Sequence, residues 1–142
     1  MRSFLRDRGG ASAVEFAVLV GPFLLLLLGG VEFARLAWTR QALQETAISA
    51  ARCMGVLATG CAASGAYSAS GTQTYVTNRA SGVGLTVPVA NMTLNRAATC
   101  AGVANFSSVT LTYTFQTVAP ALVKALAGGT VLTATACFPN NV

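Results

Sequence analysis

Residues 8–52 read RGGASAVEFAVLVGPFLLLLLGGVEFARLAWTRQALQETAISAAR. The charge-free part of this stretch runs from Phe16 to Val31. That length makes about 24 Å of α-helix at a rise of about 1.5 Å per residue. A bilayer's hydrocarbon core asks for about 20 apolar residues. The run reaches across only if Ala11 to Val14 join it, and Glu15 then falls inside the apolar segment. A carboxylate in that position is expensive, and an ordinary anchor avoids it. Glu15 is therefore a candidate functional residue.

The helical pattern continues past the apolar run. At about 100° per residue, one face collects Phe33, Leu36, Leu43, Ala47, Ala50, Ala51 and Met54. Gln41, Glu45, Ser49 and Arg52 fall on the opposite face, and Arg40 interrupts the apolar one. Trp38 stands where an interfacial aromatic is expected. The pattern predicts one helix of roughly 40 residues, half in lipid and half lying on a domain. Pro22 is expected to kink it, because its ring clashes with the carbonyl of Val18. The chain divides accordingly into a basic leader (1–10), a transmembrane helix (11–38), its amphipathic continuation (39–57) and an α+β domain (58–142).

Composition agrees with a membrane segment. Charged residues make up 9 % of the 142-residue chain and apolar residues 54 %, against about 25 % charged in an ordinary soluble domain. The net charge is +5, but Arg2, Arg6 and Arg8 precede the apolar run, where positive charge orients a segment in a membrane. Beyond Arg52 only Arg79, Arg96 and Lys124 remain, too dispersed to track phosphates. No nucleic-acid partner is expected.

The same inventory argues against an enzyme. The chain has no histidine, the commonest general base and metal ligand. All four acids, Asp7, Glu15, Glu32 and Glu45, lie in the N-terminal third, so the domain holds no carboxylate pair. Its many Ser and Thr residues lack a GxSxG-type turn. Cys53, Cys61, Cys100 and Cys137 have no CxxC spacing and no histidine beside them, which makes zinc a poor reading. Disulfides formed in an oxidising compartment fit better. No cofactor and no metal are expected.

Past the helix, residues 58–74 turn to Ala, Ser, Gly and Thr and read as a loop. A short helix is predicted from Tyr75 to Ala80, stopped by Ser81-Gly82. Leu85 to Val89 and Met92 to Leu94 are weak strand candidates, the first demoted by Pro88. The clearest strand is Ser108 to Val118, where Val109, Leu111, Tyr113 and Phe115 alternate with Thr110, Thr112, Thr114 and Gln116. Pro120 opens a short helix that Gly128-Gly129 closes. A last strand is predicted from Thr130 to Phe138.

Three readings compete for the N-terminus. A cleaved secretory signal fits the basic leader and apolar run, but the small-x-small site is poor and cutting would interrupt a continuous amphipathic pattern. A plain uncleaved anchor explains the arginines and the hydrophobicity but neither Glu15 nor the diglycine. In a prepilin-type leader the cut falls after Gly10, which makes Ala11 the first mature residue, Glu15 the fifth and Phe16 the sixth. The new Ala11 amine carries a positive charge at neutral pH. Offered by a neighbouring subunit, it could neutralise a buried Glu15 and fix axial register.

At this point the sequence resembles the TadE-like pseudopilins of the tight-adherence (Tad) pilus system. The resemblance lies in the arginine-glycine leader, VEFA, a proline a few residues on, a leucine block, a second EF and a downstream AAR. It extends more loosely to VTLTYTF, the Pro-led helix and the final Thr/Ala strand. The resemblance implies a minor pilin in a bacterial cytoplasmic membrane, single-pass, with its N-terminus inside and its domain outside. A prepilin peptidase would remove residues 1–10. The implied partners are other pilins and minor pseudopilins and the Tad inner-membrane assembly platform, with a role in pilus biogenesis and adherence, in the filament, at its tip or in its base. The chain is too long for a major Flp pilin and too short for the von Willebrand-type domain of larger relatives. A membrane-tethered binding module with an uncleaved anchor is the alternative.

The expected fold is α+β and pilin-like, with the second half of a long helix packed on a small antiparallel sheet. Val109, Leu111, Tyr113 and Phe115 should cover Leu36, Leu43, Ala47 and Met54. Four cysteines allow three pairings. Cys53–Cys61 is favoured because it locks the helix end. Cys100–Cys137 is favoured because it ties the approach of the Ser108 strand to the end of the last one.

Overall fold

The computed structural model describes residues 9–141, and the leader residues 1–8 lie outside them. Helix α1 spans Gly9–Gly55. It is followed by β1 (Ala62–Ala63), β2 (Ala66–Tyr67), α2 (Ala69–Ser81), a 3-10 turn (Val89–Asn91), β3 (Met92–Cys100), β4 (Val103–Thr114), α3 (Pro120–Ala127) and β5 (Val131–Pro139). The chain forms two compact units that divide between Arg35 and Leu36.

The first unit is the N-terminal part of α1. Its apolar side chains face outward, with Val14, Phe16, Val18, Leu19, Phe23, Val31 and the leucines 24–28 all exposed. The helix is long and apolar enough to cross a membrane, the length and composition of a single-pass anchor. It continues without a break through Pro22. Near its end Arg35 Nη1 donates to Glu32 Oε1 at 2.6 Å, one turn away, and Glu32 is buried.

The second unit is the α+β domain. Strands β3, β4 and β5 form an antiparallel sheet in that order, and β1 and β2 form a separate two-stranded hairpin. One core joins Leu36, Leu43, Ala47, Ala50, Ala51 and Met54 of α1 with Val109, Leu111 and Phe115 and with Leu132, Ala134 and Ala136 of β5. Each large side chain removed from water there contributes about 1.5–3 kcal/mol. The helix presents mostly alanines, and β5 answers with alanines opposite Val109 and Leu111, so the two elements approach closely. Gln44 Nε2 donates to the Thr135 carbonyl at 3.1 Å beside this contact.

Tight turns explain the hairpins. Ser64 and Gly65 (φ 52° and 80°) join β1 to β2, while Ala101 and Gly102 (φ 50° and 82°) join β3 to β4. Paired positive φ values are those of the two-residue turn that suits the twist of antiparallel strands. In α2 the Ser68 hydroxyl accepts from the Gly71 N–H at 3.2 Å as an N-cap. A Cβ on Gly71 would come within 2.5 Å of the Gly60 carbonyl, so only glycine fits that approach. Pro120 opens α3, and Gly128, in the left-handed conformation, closes it.

Several expectations need correction. Phe33 is 62 % exposed and not part of the domain core, which begins at Leu36. Tyr113 is only half-buried. The strand expected from Ser108 to Val118 occupies Val103–Thr114 instead, because its start reaches back to the Ala101-Gly102 turn and its pairing with β5 ends at the bond from the Phe115 N–H to the Thr130 carbonyl. The stretch 58–74 is not all loop, since it holds the β1–β2 hairpin and the first turns of α2. No strand forms over Leu85 to Val89, although Leu85 and Val87 are buried. The weak Met92 candidate is the start of a nine-residue strand.

Candidate functional site

The sequence places the candidate site at the N-terminal end of α1. Gly10 lies in the first turn of the described helix, and a Cβ there would meet nothing within 4 Å. Ala11 follows in the same turn. Four residues further on, Glu15 stands one helical turn along the same side. Its side chain is exposed, and it makes no hydrogen bond or ion pair among the described residues. Its neighbours Val14, Phe16, Val18 and Leu19 are all exposed and apolar. The result is a single carboxylate on an otherwise hydrocarbon surface, and burying it in lipid or protein without a counter-charge is costly. Such a group attracts a cation presented in an apolar environment, with Phe16 beside it 69 % exposed and free to pack.

The domain end of the helix is fixed covalently. Cys53 and Cys61 are bonded, which ties the last turn of α1 to the start of the β1–β2 hairpin. Cys100 and Cys137 are bonded across the sheet. These are the pairings favoured from the sequence. Closing the second loop, with a separation of 37 residues, stabilises by roughly 4 kcal/mol in the chain-entropy model.

The domain offers little catalytic chemistry. A shallow depression of about 390 Å³ is lined by Thr86, Pro88, Asn91, Tyr113, Thr114 and Gln116. Another, of about 330 Å³, is lined by Ser49, Arg52, Cys53, Val56, Ala58 and Tyr75. Neither lining brings a nucleophile to a general base. Among the described residues no three metal-ligating side chains cluster.

Sequence reading missed the polar clamp at the C-terminus. Asn140 Oδ1 accepts from Ser107 Oγ at 2.6 Å, and its Nδ2 donates to the Arg96 carbonyl at 2.7 Å and to Asn105 Oδ1 at 3.1 Å. The next residue, Asn141, donates its N–H to the Gly55 carbonyl at 3.0 Å. Asparagines after a strand are turn signals, but nothing in the sequence names their partners.

A family model described as "TadE-like protein" matches residues 10–52, from Gly10 to Arg52, and so bears out the resemblance over that block. The match covers the candidate site, the apolar run and the helical face that packs in the domain as far as Ala51. No curated protein matches the chain. No solved structure matches it either.

Proposed function

We propose that this chain is a minor pilin, or pseudopilin, of a Tad-type pilus assembly system, cut after Gly10 by a prepilin peptidase and acting in pilus biogenesis and surface adherence. The observation that carries the reading is the match over residues 10–52, within which Glu15 stands unpaired on an apolar helix five residues past Gly10. Arg2, Arg6 and Arg8 ahead of the run favour an N-terminus inside the cell. Two disulfides fit a domain in an oxidising compartment outside. The partners are then the peptidase, other pilins and minor pseudopilins, and the inner-membrane platform of the same system.

In this mechanism Gly10 gives the peptidase a bare backbone at the scissile bond. The freed Ala11 amine then meets Glu15 of an adjacent subunit, and two charges that are each costly in an apolar setting become a pair that sets register. Pro22 leaves the Val18 carbonyl without its helical donor, a soft point in a helix that runs on through it. The test is N-terminal mass analysis of protein from membrane and sheared-pilus fractions. The expected mature terminus is Ala11. Gly10→Val should leave uncut precursor, whereas Glu15→Ala should be trimmed yet fail to restore normal pilus numbers. An intact Met1 in every fraction, or normal piliation with both variants, would overturn the proposal.

A further inference from the structure

The connection between β4 and β5 has a surface unlike an ordinary loop. Residues 117–129 read TVAPALVKALAGG, with Lys124 their only charge. Surface connections are normally polar, since water is their neighbour. Here Val123 enters the core, while Val118 is 88 % exposed and Pro120, Ala121, Ala125 and Ala127 are exposed beside it.

The register of α1 on β5 shows at which end of the domain this surface lies. A Cβ on Gly55 would meet Phe138 and the Pro139 carbonyl, and Gln44 reaches the Thr135 carbonyl. Helix and strand therefore run in the same sense. Leu36 lies about 12 Å back from Gln44 along the helix, and about 12 Å back from Thr135 along β5 is Val131. Thr130 there accepts from the Phe115 N–H at 2.7 Å, closing the base of the connection. The α3 connection thus sits at the Leu36 end of the domain. Trp38, 68 % exposed, stands within one turn of Leu36. Arg40 and Lys124 are exposed too, and no carboxylate occurs in the connection.

We infer that the α3 connection is a membrane-contact surface: Val118 and the exposed face of 117–127 rest in the headgroup layer of the bilayer that α1 crosses. Apolar side chains enter the boundary, Trp38 sits at its level, and Lys124 and Arg40 face phosphates. The domain is then held against the membrane at two points, the anchor and this patch. The inference rests on the anchor reading, so its test separates the two.

The full chain is reconstituted in vesicles of phosphatidylcholine and phosphatidylglycerol, with tryptophan as its own reporter. Trp38→Phe silences the chain's single tryptophan, and a new one is placed by Val118→Trp, by Val103→Trp or by Leu25→Trp. Val103 is equally apolar and 59 % exposed, but it lies at the far end of β4. With lipids brominated near the headgroup, the Val118→Trp protein should emit blue-shifted light and lose most of its intensity. The Val103→Trp protein should keep its intensity. Lipids brominated deep in the chains should quench the Leu25→Trp protein. Quenching at Leu25 with none at Val118 would overturn the inference alone and leave the patch to a protein partner. No quenching at Leu25 would overturn the anchor reading, and the inference with it.

Discussion

Replacing Asn140 with alanine tests how much of the domain depends on its last few residues. The amide side chain makes three hydrogen bonds, to Ser107 of β4, to the Arg96 carbonyl of β3 and to Asn105. One side group thereby bridges two strands just past the end of a third. Ser107 is fully buried, so Asn140→Ala strands its hydroxyl away from water. A buried group left unsatisfied costs about 1–3 kcal/mol, and each of the other bonds contributes about 0.5–1.5 kcal/mol net. The expected loss is therefore about 2–6 kcal/mol. For a domain of about 100 residues, 1 kcal/mol moves the melting midpoint by about 4 °C or more. The assay is thermal unfolding of the oxidised full chain in detergent, followed by near-ultraviolet circular dichroism. Ser107→Ala and the double variant complete a cycle, in which contacting partners couple by about 0.5–3 kcal/mol. Additive losses, or a fall below about 0.5 kcal/mol for Asn140→Ala, would refute the clamp.

Other changes have equally direct readouts. Ala101→Asn places a residue that tolerates positive φ where alanine now sits at 50°, and it should stabilise by about 0.5–1 kcal/mol in the same melts. Gly55→Ala should destabilise by about 1–3 kcal/mol, since its Cβ would lie 2.6 Å from Phe138 and 2.8 Å from the Pro139 carbonyl.

The long helix was legible because its signals are redundant. A charge-free run and a 3.6-residue period lead to the same element, and Leu36, Leu43, Ala47 and Met54 are buried as their face requires. Strict alternation identified β4 in the same way, and Pro and Gly framed α3. What escaped was set by contacts distant in sequence. Strand β3 carries register shifts between Asn95 and Cys100, and these break the two-residue period on which a strand reading depends. The first turn of α2 is Ala69, Ser70, Gly71 and Thr72, of which all but the alanine are poorer helix formers. They are held by the Ser68 cap, by burial of Thr72 and Val76, and by the close approach of Gly71 to Gly60. The candidate site was legible as a spacing, Gly10 to Glu15. The exposure of that carboxylate on the helix needed coordinates.

The distribution of charge links the two units to the media they meet. The domain has a single acid, Glu45, which accepts from Gln41 at 3.1 Å. Its polar matching falls instead to neutral groups: Ser49 with Tyr75 at 3.0 Å, Thr110 with Thr135 at 3.0 Å, Gln44 with a backbone carbonyl, and the Asn140 clamp. Neutral hydrogen bonds lose little to salt, whereas exposed ion pairs are screened and contribute about 0–1 kcal/mol. A domain built this way keeps its stability where ionic conditions vary. Glu32 pairs with Arg35 at the end of the apolar run. A counter-charge matters most there, because the surroundings screen it least. Glu15, at the opposite end of that run, has no ion pair among the described residues, and under the proposed function the Ala11 amine of another subunit is its counter-charge.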